Sequence, residues 1–315
     1  MVDNRKQWKA WLYLSPAIVL LLVFTGWPII NTLLMAFQNG YSANLAKIGT
    51  EFEWGIQNFQ RVIGYKRFKD CLFNTMILCV ATVPISTLLA LLIAVALNSI
   101  KPLQRTLQTI FFLPYVTNSI AIGMVFAAMF NIIGLRQSGG SMLADSWGIV
   151  NNVIMFFGGE PINWISAGSE KWANIVVLIV YIVWNALPFK ILVLLGGLQS
   201  INKQYYDAAK VDGTPRRRVF TKITVPLLSP MIAYVVITGF IGGFKEYSSI
   251  VGIFGEDMSP AGDLPGRLNT MVGFVYDSLE TRQHGVASAA ALILFGIILV
   301  VTMINTQVSK KRVHF

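Results

Sequence analysis

Six long apolar blocks divide the chain, and they constrain its fold more than any other feature of the sequence. The blocks cover residues 11–37, 72–97, 106–130, 172–198, 227–253 and 284–308. Each of them reaches or exceeds the ~20 residues that a helix needs to cross the hydrocarbon core of a membrane. The sequence therefore predicts an all-α, polytopic membrane protein with six transmembrane helices.

Composition agrees with this prediction and excludes several classes of function. The chain is 55% hydrophobic and only 13% charged, with a mean hydropathy of +0.61, which leaves no room for a large soluble domain. Its two cysteines, Cys71 and Cys79, and its two histidines, His284 and His314, offer little for a disulfide framework, a metal site or histidine catalysis. The sequence also lacks the HExxH and GxSxG motifs and paired intramembrane carboxylates, so we predict neither catalytic nor metal-binding residues and disfavour an intramembrane enzyme.

The net charge of +10 is explained by its distribution around the predicted spans. If both termini lie inside, the inner segments hold 14 basic and 3 acidic residues, whereas the outer segments hold 9 basic and 11 acidic residues. Cytoplasmic loops of membrane proteins carry such an excess of Lys and Arg. This asymmetry places both termini in the cytoplasm, favours membrane lipid headgroups as counterions and removes the need for a nucleic-acid partner.

One long polar, charged segment, Tyr205–Pro230, lies between two apolar blocks. We predict a short amphipathic helix over residues 206–212, with Asp207 in its first turn, where the helix dipole favours an acid. Gly213 follows as a stop signal, and Pro215 falls at the first turn of a second, arginine-rich helix. The predicted product is a compact elbow, residues 206–213, at one membrane face.

This segment resembles the coupling-loop signature of the membrane subunits of binding-protein-dependent ABC importers. In that family Glu-Ala-Ala is followed after three residues by Gly and further on by Ile-x-Leu-Pro. The matching residues are Asp207-Ala208-Ala209, Asp212-Gly213, Phe220, Ile223 and Val225-Pro226, with Asp in place of Glu and Val in place of Leu. Similar features recur in order at Asn58-Phe59 with Asn74-Thr75, at Phe111 to Pro114, at Trp184 with Pro188-Phe189, and at Gly285 to Ala289. The likeness is to the sugar-uptake branch, of the maltose, lactose and multiple-sugar permease type.

The resemblance implies a type I ABC importer permease of a bacterial or archaeal inner or plasma membrane. Residues 1–71 then form an N-terminal transmembrane helix with an outer interfacial segment, and residues 72–315 form a five-helix core with a cytoplasmic coupling loop at 199–226. The implied partners are an ABC ATPase dimer, a second and different homologous permease, and an extracellular or periplasmic solute-binding protein. The chain has no GxxxxGK[ST] sequence, so ATP and Mg are expected on the ATPase and no cofactor on this chain. The expected ATPase-coupling residues are Tyr206, Asp207, Ala208, Ala209, Asp212, Gly213 and Arg217.

Polar residues inside the apolar blocks are candidates for substrate contact, because charges there are costly. In the fifth block Gly239, Gly242, Gly243 and Glu246 share one helical face, which predicts either one wall of a cavity or a seam for close helix packing. In the fourth block Asn185 lies near aromatic residues, and an amide beside aromatic rings suits a sugar. Lys190 is expected to snorkel to the membrane interface. The predicted substrate-binding residues are Asn185, Glu246, Lys245, Trp184, Phe189, Gly243, Tyr247 and Asn118.

Two other functions stay open at the level of the sequence. One is an ABC permease for another solute, such as a glycerol phosphate ester, for which Lys245 is a natural phosphate partner. The other is an ion-coupled secondary transporter or channel, which needs no ATPase.

Overall fold

The computed structural model describes residues 7–100, 106, 109–110, 113, 115–138, 141–260 and 262–312. The predicted link over 98–105 and the motif at Phe111 to Pro114 therefore lie largely outside the described residues. The helices in the described part are α1 (Gln7–Leu21), α2 (Trp27–Phe37), α3 (Ala43–Lys47), α4 (Gln57–Gly64), α5 (Lys66–Ser99), α6 (Ser119–Phe130), α7 (Ile149–Phe156), α8 (Lys171–Ser200), α9 (Lys203–Val211), α10 (Arg216–Val219), α11 (Val225–Phe244), α12 (Ser248–Phe254), α13 (Met271–Glu280) and α14 (His284–Arg312). An antiparallel hairpin of β1 (Ile132–Ser138) and β2 (Ser141–Trp147), with Ile132 opposite Trp147, is added to the helices.

Five helical segments of the described chain are long and apolar enough to cross a membrane. They are Trp8–Phe37, Lys66–Ser99, Lys171–Ser200, Arg216–Phe244 and His284–Lys310. The block predicted at 106–130 is described mainly in its second part, where α6 is a shorter apolar helix. The long helices thus follow five of the six predicted blocks.

Wide π-helical turns interrupt two of these segments just before a proline. Leu22–Gly26 precedes Pro28, and Phe220–Thr224 precedes Pro226. Proline lacks an N–H group and its ring clashes with the carbonyl group four residues earlier in a regular helix. A turn widened by one residue relieves that clash while the helix continues.

Two of the predicted spans are interrupted by short non-helical breaks. In the third span Asn118 is extended (ψ 122°) and its side chain accepts a hydrogen bond from the Ile120 amide, so α6 begins only at Ser119. The fifth span ends at Phe244 and restarts at Ser248. In this second break the Glu246 carboxylate accepts a hydrogen bond from the Ser249 amide at 3.1 Å and so satisfies an amide at the start of α12.

The chain forms two compact units. The first comprises residues 1–69 and 273–296. In it the fully buried Asn58 donates hydrogen bonds to the carbonyl groups of Ala36 and Gln38, and Gly285 packs so closely on Asn58 that a side chain there would collide with its amide. This polar contact ties α4 to the end of α2.

The second unit comprises residues 70–272 and 297–315 and contains two apolar clusters. One cluster joins α6, α8 and α12 around Tyr181, Leu178 and Ile250. The other joins α5, α8 and α11 around Leu194, Leu195 and Val235. Since α8 contributes to both clusters, it is the central helix of this unit, and the candidate site lies beside it.

Candidate functional site

A cavity of about 260 Å³ lies in the second unit among α5, α8 and α11. Four of the eight predicted substrate residues line it, namely Asn185, Phe189, Gly243 and Glu246. The other lining residues are Thr82, Val83, Ser86, Tyr115, Ile182, Ala186, Lys190, Thr238, Gly239 and Gly242. The cavity therefore combines a carboxylate, an ammonium group, an amide, hydroxyl groups and aromatic rings.

The break in the fifth span places Glu246 on this cavity. The main-chain carbonyl of Glu246 accepts a hydrogen bond from the Thr270 hydroxyl at 2.8 Å, while its side chain binds the Ser249 amide. The residue is thus held from both sides in the gap between α11 and α12. Its position results from the helix ending, which hydropathy alone did not reveal.

Gly239, Gly242 and Gly243 line the cavity, and two of them also form a seam for close helix packing, so both predicted roles apply. A Cβ atom added at Gly239 would lie 3.1 Å from Nζ of Lys190, and one added at Gly243 would lie 2.8 Å from Sγ of Cys79. These two glycines allow close packing of α11 against its neighbours. A Cβ atom added at Gly242 would meet nothing within 4 Å, so this glycine faces open space.

Lys190 is buried, and the expectation that it snorkels to the interface is wrong. Only 4% of the residue is exposed. Its ammonium group donates hydrogen bonds to Oγ of Ser86 at 2.7 Å, to Oγ1 of Thr87 at 2.9 Å and to the carbonyl oxygen of Val83 at 3.3 Å. All three N–H groups of the lysine are therefore satisfied by α5, which makes burial of the charge tolerable.

An aromatic pair forms another wall of the cavity. The rings of Tyr115 and Phe189 are stacked, with centroids 5.8 Å apart and planes inclined by 19°. Nearby, the amide of Asn185 donates to Oγ of Ser119 at 3.4 Å, a long hydrogen bond. A flat aromatic surface beside an amide matches the apolar faces and hydroxyl groups of a sugar ring.

Four predicted substrate residues lie elsewhere. Lys245 is the exposed C-cap residue of α11, and Asn118 is the exposed N-cap residue of α6. Trp184 packs on Phe126 with ring centroids 5.0 Å apart, and Tyr247 packs against the Tyr181 cluster. Trp184 lies about 100° from Asn185 on the continuous helix α8, and Lys245 and Tyr247 flank Glu246 in the break, so the sequence neighbours of Asn185 and Glu246 face other surroundings.

Several lining residues were missed by the sequence analysis. Thr82 and Ser86 are four residues apart in the second apolar block, and Lys190 is the only basic residue in the fourth. Residues with this spacing share a helix face, so the polar pair was a usable signal for a polar surface on α5. Tyr115 carried no comparable signal, since aromatic residues are common in membrane spans.

The elbow begins earlier than predicted. The helix α9 starts at Lys203, with Asn202 as its N-cap residue, whose side chain accepts a hydrogen bond from the Gln204 amide at 3.0 Å. Asp207 is therefore not in the first turn, as expected, but in the second, where it forms an exposed ion pair with Lys210 at 3.3 Å. The N-cap asparagine was the signal for the true start.

The end of α9 agrees with the predicted stop at Gly213. This glycine has a left-handed φ of +64°, and the Thr214 amide donates to the carbonyl group of Ala209 at 2.9 Å. Glycine adopts this conformation without steric cost and closes the helix in the Schellman arrangement. The elbow therefore has a sharply defined turn.

The side chains of the elbow face in two directions. Ala209 is 5% exposed and packs inside this chain, and the hydroxyl groups of Tyr206 and Thr224 are 3.3 Å apart. Asp207, Ala208, Asp212, Gly213 and Arg217 are exposed. Of the two alanines predicted to couple to an ATPase, only Ala208 presents a surface to a partner.

Comparison with known proteins gives a consistent result. Residues 86–314 match the family described as "Binding-protein-dependent transport system inner membrane component". The chain is 30% identical to the lactose transport system permease protein LacF of Rhizobium radiobacter, over 94% of this chain and 91% of that protein. It is 26% identical to the arabinooligosaccharides transport system permease protein AraP of Bacillus subtilis, over 96% of this chain and 89% of that protein.

The fold also has a counterpart among solved structures. A chain in the crystal structure of a bacterial ABC transporter involved in the import of the acidic polysaccharide alginate superposes with a TM-score of 0.76. The match covers 98% of this chain and 97% of that chain, at 20% sequence identity. At this identity the likeness concerns the fold.

Proposed function

This chain belongs to the family of binding-protein-dependent transport system inner membrane components. We propose that its cavity binds the transported sugar. We also propose that its elbow is displaced by conformational changes of an ATPase. The protein is a permease subunit of an ABC importer for a sugar or oligosaccharide. It is a multi-pass protein of the bacterial plasma membrane and a transport subunit, not an enzyme.

The composition of the cavity supports the assignment of the sugar site. The Tyr115–Phe189 stack offers a flat apolar surface, while Asn185 and Glu246 offer hydrogen-bonding groups for hydroxyls. The volume of about 260 Å³ is slightly below the ~300–1,000 Å³ of typical small-molecule pockets. We propose that this chain supplies one part of the pathway and that a second, different homologous permease completes it.

The elbow is suited to the transmission of force. Its helix is capped at both ends, by Asn202 and by the turn at Gly213, and it is anchored through the buried Ala209. In our proposal the exposed residues Asp207, Ala208 and Arg217 contact a cytoplasmic ABC ATPase dimer, which binds ATP and Mg, so that this chain needs no cofactor. Closure of that dimer on ATP then moves the elbow and switches access to the cavity.

The remaining partners follow from the family. Its description names dependence on a binding protein, and we propose that an extracellular or periplasmic solute-binding protein delivers the sugar to the outer loops. Membrane lipids then surround the apolar helices, and the inner basic residues face the cytoplasmic leaflet, without a nucleic-acid partner.

Substitution of Asn185 tests the sugar site. Loss of a hydrogen bond to a substrate hydroxyl costs about 1–3 kcal/mol when its partner stays buried and unpaired. We expect Asn185→Ala to raise the KM for uptake of labelled oligosaccharides by about tenfold, and Asn152→Ala, outside the cavity, to leave KM unchanged. An unaltered KM in Asn185→Ala would exclude this residue from the sugar site.

Substitution of Gly213 tests coupling. A branched residue is strained at φ +64°, so we expect Gly213→Val to disturb the turn and reduce uptake at least about tenfold while the protein still inserts in the membrane. Gly158 has a similar φ of +80° and lies outside the elbow, which makes Gly158→Val the matched control. Full uptake by Gly213→Val contradicts the coupling role.

The sequence left a phosphate ester open as the solute, with Lys245 as its partner. Lys245 is exposed and does not line the cavity, so it does not serve as the phosphate partner there. The membership of the family decides against an ion-coupled secondary transporter.

A further inference from the structure

Two side chains of opposite charge line the cavity without forming an ion pair with each other. Glu246 lies in the break between α11 and α12, and Lys190 projects from α8. The ion pairs found among the described residues are Arg67–Asp277, Lys210–Asp207 and Arg267–Asp263. Because Glu246 and Lys190 do not pair with each other, both charges contribute to the electrostatic potential that a molecule in the cavity experiences.

The two charges differ in their capacity for new hydrogen bonds. The three N–H groups of Lys190 are used by Val83, Ser86 and Thr87, so the lysine contributes positive potential rather than donors. The described contact of the Glu246 side chain uses Oε1, toward the Ser249 amide. A carboxylate accepts up to about four hydrogen bonds, so Glu246 can also accept one from a substrate hydroxyl.

We propose that Glu246 is the specificity-determining residue that keeps anionic sugars out of this cavity. The proposal rests on the assignment of the cavity as the sugar site. A neutral sugar donates a hydroxyl hydrogen to the Glu246 carboxylate, whereas the carboxylate of a uronic acid is repelled by it in a space with mainly apolar walls. Once Glu246 is neutral, the positive charge of Lys190 favours the anion.

Glu246→Gln tests this proposal with little change of shape. Glutamine keeps a carbonyl oxygen that can accept from the Ser249 amide, so the cap of α12 is preserved. Glu256→Gln is the matched control, because Glu256 is an exposed acid that does not line the cavity.

Occupancy can be read from a cysteine placed at Gly242, where an added Cβ atom has open space within 4 Å. Cys71 and Cys79 are buried, so their background reaction with a polar maleimide is low. The rate of alkylation of Gly242→Cys is measured on the full chain co-purified with its partner subunits and placed in lipid nanodiscs, without a binding protein. Lactose and maltotriose serve as neutral probes, and digalacturonate serves as the anionic probe.

With Glu246 in place, we expect the neutral sugars to slow alkylation and digalacturonate to leave the rate unchanged. In the Glu246→Gln background, digalacturonate should halve the alkylation rate at a concentration at least about tenfold below the highest concentration that leaves the rate unchanged with Glu246. In the Glu256→Gln background, which keeps Glu246, the sugars should protect Gly242→Cys to the same extent as in the chain that has both Glu246 and Glu256.

Two results overturn the inference and are distinguishable from each other. Protection by digalacturonate in the presence of Glu246, or an unchanged charge preference in Glu246→Gln, removes the selective role of Glu246 but keeps the cavity as a sugar site. Absence of protection by every sugar in every background removes the cavity itself as the sugar site, and the inference with it.

Discussion

At the scale of single residues, Lys190 shows how a membrane span can bury a charge. Its position in the fourth apolar block indicated depth in the membrane but gave no information on its neighbours. The groups that satisfy it, Ser86 and Thr87, lie on α5, about a hundred residues earlier in the chain. A prediction from local sequence therefore favoured snorkelling, and tertiary contacts decided otherwise.

Thr87→Val tests the energy of this contact. Valine has nearly the same shape as threonine but does not accept the ammonium hydrogen, and hydrogen bonds to charged groups contribute about 1.5–3 kcal/mol. We expect the free energy of unfolding to fall by that amount, as measured by chemical denaturation in micelles.

The control for this measurement is Thr306→Val, because the Thr306 hydroxyl binds the carbonyl group of Thr302 in its own helix. Its free energy of unfolding should change by less than about 1 kcal/mol. Equal losses in the two variants contradict a special role for Thr87.

At the scale of helices, the tight crossing of α6 and α12 holds the break in the fifth span. A Cβ atom added at Gly123 would lie 2.8 Å from Cα of Gly252, so the two backbones are in direct contact. Small residues permit such an approach between membrane helices. This contact explains why the short helix α12 can be stable after the chain has left α11.

Gly123→Ala should therefore separate the two helices. Overpacking of this kind costs about 1–3 kcal/mol, and we expect the variant to unfold more easily and to transport less. At Gly296 in α14 the same substitution meets nothing within 4 Å, and alanine favours a helix by about 1 kcal/mol. The thermal unfolding temperatures of both variants are compared with that of the chain without substitutions. If Gly123→Ala unfolds at the same temperature as that chain, the contact between α6 and α12 does not contribute to stability.

The long helices could be predicted from the sequence, whereas their interruptions could not. Hydropathy over about twenty residues is sufficient to find a span, and glycine after a short polar helix was sufficient to find the turn at Gly213. The breaks at Asn118 and Glu246 depend on hydrogen bonds to the Ile120 and Ser249 amides. These bonds favour a new helix start at two short polar stretches, Thr117 to Ser119 and Lys245 to Ser249, which a hydropathy average over about twenty residues does not resolve.

At the scale of the whole molecule, the distribution of charge predicts both termini and the elbow in the cytoplasm. The positive excess of the inner segments and the slight negative excess of the outer segments support this orientation. The two buried cysteines make it measurable with single added cysteines.

Lys203→Cys and Glu256→Cys are expected to react differently in intact cells. Both positions are exposed, and the predicted orientation places the first inside and the second outside. A membrane-impermeant maleimide should label Glu256→Cys in intact cells and Lys203→Cys only after permeabilisation. The reverse pattern contradicts the orientation and, with it, an ATPase contact at the elbow.

The wide turn at Phe220–Thr224 has a consequence for the register between the elbow and the cavity. One extra residue in a turn rotates everything that follows by about 100° around the helix axis. The side of α11 that carries Gly239 and Gly242 is therefore set by a local insertion about twenty residues upstream. A regular helix through the same residues would turn a different stripe of side chains toward the pathway, with no change in composition.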